Sequence, residues 1–275
     1  MEYFRFKILN NTTINKALSG LGLGLHKINH LINTNKVKKG SIVLRSEEEV
    51  FKDDNITIDI TEYEKNDYEP TYNDLNILYE DDYFLIVDKP YDVLIYDDKS
   101  NNTLANYIRY YYMTNNINRS IRHVHRLDKE TTGCILYAKD AITHSALSQM
   151  LERNEITRKY HAVVQGKIKT KGVFDNPIGK DRHVKNKMIV YKNGQYAKTN
   201  YKLLKYDEIN DQSLVEIKLD TGRTHQIRVH FSYNKHPLIG DKIYNPNYNN
   251  EKLQLVSYSI EFIHPITGKR IYVNV

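Results

Sequence analysis

The chain has 275 residues, 40% of them hydrophobic, with one cysteine and a net charge of +6. A single cysteine excludes a disulfide framework within the chain, and no run approaches the ~18 apolar residues of a membrane-spanning helix. The opening residues carry no apolar leader, so a cytoplasmic protein with no membrane partner is expected.

In chain order, Ile14, Ala17, Leu18 and Leu21 fall at helical spacing, and residues 26–32 predict a second short helix. Residues 36–40 form a basic turn, and 42–44 and 56–60 alternate as short strands. Residues 12–60 therefore read as a small module. Residues 61–74, TEYEKNDYEPTYND, are charged and without periodicity, which predicts a linker. A larger unit occupies 75–275. In it, 84–87 and 134–137 are apolar runs that predict buried strands, with Cys134 as an ordinary strand residue. Residues 104–113 and 141–151 predict helices, the second capped by Asp140. Residues 159–166, 197–204 and 214–219 predict strands. In the last, Val215, Ile217 and Leu219 alternate with Glu216 and Lys218, so one face is buried. Strands outnumber helices without regular alternation. The predicted class is α+β: a mainly antiparallel mixed β-sheet catalytic domain with flanking helices, plus a small N-terminal α+β module.

Lysines outnumber arginines more than two to one, yet Arg122, Arg126, Arg158, Arg223 and Arg228 fall in three short segments. Arginine in a lysine-rich chain points to a need for a planar, bidentate donor. The first segment, HVHRLDKETTG at 123–133, holds Asp128 between Arg126 and Lys129. A carboxylate beside fixed cations stays charged at neutral pH, which suits a nucleophile or proton acceptor. The local residues alone favour a plainer role, capping the Thr131-Thr132 turn. The second segment is TGRTHQIRVH, 221–230. Gly222 suits a turn conformation closed to other residues, and 226–230 read as a short helix or turn. Arg223 and Arg228 are candidates to neutralise Asp128 or bind phosphate; the alternative is two solvated arginines. The third segment is RKYHAVVQG, 158–166. Its Tyr160 either stacks on a base or fills the core.

These segments, in this order, resemble the RluA family of pseudouridine synthases. HRLDKETTG at 125–133 fits the family's HRLD-x-x-T-S/T-G loop at every fixed position, and 222–230 meet its GRTHQ-I/L-RVH segment without a change. Tyr160, Ala162, Val164 and Gly166 match its strand segment K/R-x-Y-x-A-x-V-x-G. NPIGKD at 176–181, HPLIGDKIY at 236–244 and HPITG at 264–268 are further landmarks. The resemblance implies isomerisation of specific uridines in structured RNA, ribosomal ahead of transfer RNA, by a monomer with no cofactor and no metal. It implies that Asp128 is the essential aspartate, that Tyr160 lies on the target base, and that Arg228 pairs with Asp128. Arg126 would displace the uridine from its stack, because the reaction needs the base outside the helix. Arg223, Gln226 and Leu255 would bind the substrate.

Two departures stand out. Asp88-Lys-Pro-Tyr-Asp92 lacks the glycine of the family's N-K-P-x-G, and Leu255-Val-Ser257 stands where the family has L-H-A. Residues 12–60 resemble, more weakly, a small RNA-binding domain found at the N-terminus of many relatives, with Leu18, Ile32, Val37 and Asp54 at its apolar or turn positions. Three other readings compete. A non-catalytic RNA-binding protein would not need Asp128. A histidine-metal hydrolase would draw on His123, His125, His225 and His230, but no cysteine pair or H-E-x-x-H accompanies them. A glycoside hydrolase needs a second carboxylate, and the loop offers Glu130.

Overall fold

The computed structural model describes residues 2–64 and 68–275, so part of the linker expected at 61–74, residues 65–67, lies outside the described residues. The strands Tyr3–Lys7, Asn55–Asp59, Val37–Lys39 and Ile42–Val43 form a four-stranded antiparallel sheet in that order. The helices Ile14–Gly20 and Leu25–Asn33 accompany it. Alternation along Tyr3–Lys7 buries Phe4 and Phe6, so this sheet begins upstream of residue 12. Its core also takes in Ile142 and Ile266 from the larger unit. Hydrogen bonds reinforce that contact: Arg122 donates to the Tyr63 carbonyl, and the Ala141 N–H donates to Glu64 Oε1.

The larger unit is built on a ten-stranded sheet. Its main path runs Lys171–Phe174, Thr199–Asp207, Gln212–Leu219, Thr157–Gln165, Leu255–Ile263, Thr132–Ala138, Phe84–Lys89 and Ile77–Glu80. Arg270–Asn274 adds beside Leu255–Ile263, and Arg122–His123 beside Thr132–Ala138. Every pairing is antiparallel except a short parallel joint, Thr132–Gly133 against Val256–Ser257. With the helices Leu104–Thr114, Ala141–Glu152 and Gln226–Tyr233 beside this sheet, the fold is the α+β class expected. Among the described residues no helix is long and apolar enough to cross a membrane.

Phe84–Val87 is apolar without alternation because both faces of the strand are covered. Phe84 and Ile86 pack with Cys134 and Leu136, while Leu85 and Val87 pack with Leu104, Ile108 and Tyr112. Asp140 caps Ala141–Glu152 as predicted, accepting from the N–H groups of Ile142 and Thr143 at 2.8 and 2.7 Å.

The parallel joint positions the site. Gly133 has φ +100°, and a Cβ there would lie 2.3 Å from the Ser257 carbonyl oxygen. Only glycine lets the two strands approach so closely. The loop 126–131 is thereby delivered beside the middle of the sheet.

Candidate active site

The motif segments converge on one cleft of about 1710 Å³, and every site residue expected from the sequence lines it. Asp128 stands in the loop before Gly133 with a quarter of its side chain exposed. Arg228 Nη1 lies 3.3 Å from Asp128 Oδ2, so the expected pair forms. It is not the main anchor of Arg228. The guanidinium is 2% exposed, and its Nε and Nη2 both donate to the fully buried Asp241 at 2.8 Å. Glu130 lies 3.6 Å from Nη2 and also pairs with Lys242. Burial opposes the charge on Arg228, but its bonds to Asp241 and then to Asp128 more than offset this, so its pKa rises further. Asp241 thus holds the fork, and the fork presents its third edge to Asp128.

Across the loop, Lys89 is fully buried. Its Nζ donates to the carbonyls of Pro90, Val93 and Lys129 at 2.9, 2.7 and 2.8 Å. It therefore ties the chain just after Asp128 to the neighbouring loop. Burial pulls its pKa down to about 8, with the charge of Asp128 opposing. This loop is where the family glycine is missing. Asp92 takes that place with φ +63°, a left-handed conformation that aspartate tolerates. Its carboxylate pairs with Lys129 at 2.9 Å. Asp92 thus takes the left-handed conformation itself and adds a contact beside Asp128.

His225 is the first residue before helix Gln226–Tyr233 and has φ +56°. The left-handed turn expected at Gly222 falls here instead, and Gly222 has no positive φ. The loop is closed by the Gln226 side chain, which shifts the tight turn toward the helix. Gln226 Oε1 accepts from Thr221 Oγ1 and the Arg223 N–H at 2.8 and 2.9 Å. Its Nε2 donates to the Lys198 carbonyl and Thr199 Oγ1, both at 3.0 Å. The side chain is buried, and both amide ends are taken up inside the protein. In this structure Gln226 holds the loop in shape while still lining the cleft. His225 Nδ1 lies 2.8 Å from the Tyr244 hydroxyl, and its Nε2 lies 4.0 Å from Asp128 Oδ2. Burial lowers the His225 pKa against the opposing charge of Asp128.

Tyr160 lies buried on the central strand Thr157–Gln165, opposite Ile217 on one side and Ser257 on the other. Burial raises its pKa, which keeps the hydroxyl protonated. Leu255 belongs to the same apolar cluster. Arg126 and Arg223 are exposed, and Arg223 Nε donates to the Tyr196 carbonyl at 2.9 Å. Where the family has L-H-A, Val256 replaces the histidine, and Ser257 Oγ donates to the Cys134 carbonyl at 2.8 Å.

The four histidines of the metal reading have separate partners. His125 Nε2 accepts from the Leu136 N–H at 3.3 Å. His230 bonds Thr199 Oγ1 and the Asn176 carbonyl, and His123 stacks on Tyr96. Among the described residues no three His, Cys, Asp or Glu side chains converge as a metal set. Asp241 and Lys89 were missed as site residues in the sequence. Both stand in landmark segments, HPLIGDKIY at 236–244 and DKPYD at 88–92, which were the available signal.

Comparison with known proteins adds a family. The model described as RNA pseudouridylate synthase matches residues 83–233. The chain is 39% identical over 251 residues to the uncharacterized RNA pseudouridine synthase YhcT of Bacillus subtilis, covering 89% of this chain and 79% of that one. It is 30% identical over 249 residues to the ribosomal large subunit pseudouridine synthase D of Vibrio cholerae, covering 84% and 76%. Among solved structures, human RNA Pseudouridylate Synthase Domain Containing 1 superposes with a TM-score of 0.64 at 25% identity, over 75% of this chain and 85% of that one.

Proposed function

Because the chain belongs to the RNA pseudouridylate synthase family, we propose that its cleft converts uridine to pseudouridine in ribosomal RNA, with Asp128 as the reacting carboxylate. The activity follows from the family, and the RluA resemblance agrees with it. The preference for large-subunit ribosomal RNA rests on the name of the Vibrio relative. The observation that carries the choice of Asp128 is its position. It is the quarter-exposed acid of the motif loop, paired with a guanidinium that is itself clamped from behind by Asp241.

The reaction breaks the bond from the sugar C1′ to the uracil N1, turns the base, and joins C1′ to C5. The proton on C5 leaves, and N1 gains one, so the atoms balance without redox or an added group. Asp128 acts as nucleophile or base at the sugar or the uracil. Tyr160 and Leu255 supply an apolar floor for a flipped base. Arg126, on the exposed part of the loop, fills the space the base leaves. Arg223 contacts phosphate. The small N-terminal unit presents Lys16 and Lys38 to solvent, where they can add further phosphate contacts. The enzyme works in the cytoplasm as a monomer on this reading.

The test is Asp128→Asn, assayed by tritium release from RNA labelled at uracil C5, together with pseudouridine mapping of total RNA from cells with and without the gene. Wild type should convert a defined ribosomal uridine, and the variant should fold and convert none. A variant rate within about tenfold of wild type would remove Asp128 from the chemistry.

A further inference from the structure

Arg158 is buried in the wall of the cleft, and no carboxylate among the described residues pairs with it. It stands on strand Thr157–Gln165 two residues before Tyr160, so both side chains leave the same face. It is 6% exposed and lines the same cleft as Asp128 and Tyr160. Among the described residues its buried Nε has no hydrogen-bond partner, and no ion pair includes its guanidinium. Arg228, equally buried, has three carboxylates around it. A buried guanidinium edge without a partner is costly, which favours a ligand that brings negative charge to it.

Gly222 borders the guanidinium in the same cleft. A methyl group on Gly222 would lie 3.5 Å from Arg158 Nη1 and 3.8 Å from Nη2. Gly222 has no positive φ, so its backbone does not call for glycine. The bare Cα instead leaves the guanidinium uncovered toward the cleft. His125, close by, is neutral: burial first, and then the charge of Arg158, lower its pKa to about 3. It neither matches the charge nor adds a second one.

Resting on the function proposed above, we propose that Arg158 is the receptor for an RNA backbone phosphate beside the target uridine, engaged as the flipped base settles on Tyr160. The chemistry favours a phosphodiester. A planar fork binds two phosphate oxygens at once, and the phosphate brings the missing negative charge. A uracil carbonyl would satisfy one N–H and leave the charge unmatched. Arg126 and Arg223 are exposed and stay solvated without RNA, so Arg158 should carry the more position-specific contact.

The probe is a synthetic RNA fragment centred on a uridine found by the mapping experiment, with one phosphate at a time replaced by a neutral methylphosphonate. For wild type, one position should raise the RNA concentration for half-maximal rate by about tenfold, with the saturated rate little changed. Arg158→Gln should show that same loss on unmodified RNA, and the substitution at that position should then cost it nothing more. Free Arg158→Gln should melt no lower than wild type, because the change removes an unmatched buried charge. Gly222→Ala should weaken RNA binding in the same sense. Independent, additive losses at every phosphate would overturn the proposal. So would a lower melting temperature with unchanged RNA dependence, which would mark a merely structural arginine. A wild-type enzyme that converts no uridine overturns the functional reading and this proposal together; conversion without a shared phosphate position overturns this proposal alone.

Discussion

Asp241→Asn tests whether Asp128 is aimed from behind. Asp241 Oδ1 accepts from Arg228 Nη2 and from the N–H groups of Ile243 and Tyr244, and Oδ2 accepts from Arg228 Nε. Asparagine can keep its oxygen on the Ile243 and Tyr244 side. Its NH₂ then faces Arg228 Nε, donor against donor, at a site 2.8 Å across. One charge-assisted bond is lost outright and the other is weakened, at about 1.5–3 kcal/mol for each. The stability cost should therefore be about 3 kcal/mol. At roughly 2–4 °C per kcal/mol for a chain of this size, melting should fall by about 6–12 °C. The guanidinium would turn toward its remaining partners, Asp128 and Glu130. A displacement of the carboxylate by ~1 Å costs about a hundredfold in rate. The assay is the single-turnover rate at saturating RNA, well below the melting point. Asp241 makes no contact with Asp128, so a rate loss acts indirectly, through Arg228 or through the Tyr244–His225 contact. A lowered melting point with an unchanged saturated rate would refute the clamp and leave Asp241 a purely structural acid.

Two further perturbations follow from the geometry. The folded-state pKa of His125 is lowered to about 3 from 6.5, mainly by burial. Between those values the unfolded chain holds a proton that the folded chain does not. The stability from this group is thus complete above pH 6.5 and is lost as pH falls, by up to about 1.36 kcal/mol per unit. From pH 6.5 to 4.5 that is about 2–3 kcal/mol, which His125→Gln should avoid in urea unfolding, since its amide oxygen can still accept from Leu136. Equal losses in variant and wild type would assign acid sensitivity to the other lowered histidines, such as His123, His144 and His230. Gly133→Ala combines a clash at 2.3 Å with a left-handed φ and should cost about 3 kcal/mol or more; unchanged melting would mean the parallel joint can open without penalty.

What the sequence disclosed depends on how local each cause is. The helix Ala141–Glu152 was legible because its cap, Asp140, and its apolar spacing are neighbours in the chain. The buried strand at Phe84–Lys89 was legible because a run covered on both faces is apolar throughout. Tyr3–Lys7 was not. Its pattern is short, and its partner Asn55–Asp59 lies far along the chain. The two-unit reading also missed that Ile142 and Ile266 complete the core of the small unit, because periodicity cannot say which element a buried face meets. In the candidate site, Asp128, Tyr160 and Arg228 were singled out by motif, whereas Asp241 and Lys89 meet their partners only through the fold. Gln226 was read from its motif as a substrate contact, and only the fold shows that its amide also bonds Thr221, Arg223, Lys198 and Thr199.

The two buried arginines divide the work of the cleft by how their charge is matched. Arg228 is compensated inside the protein, so it is fixed before RNA arrives and can hold Asp128 in one orientation. Such preorganisation favours the transition state, because no rearrangement is needed when charge develops. Arg158 has no such partner among the described residues. Its desolvation cost is already met in the fold, so a phosphate that reaches it gains the full interaction. That gain is available only when the backbone comes deep enough for the uridine to leave its stack, and it can offset the cost of flipping. Sequence alone gives both positions the same letter; the difference between aiming the carboxylate and receiving the substrate lies in Asp241, which one arginine has and the other lacks.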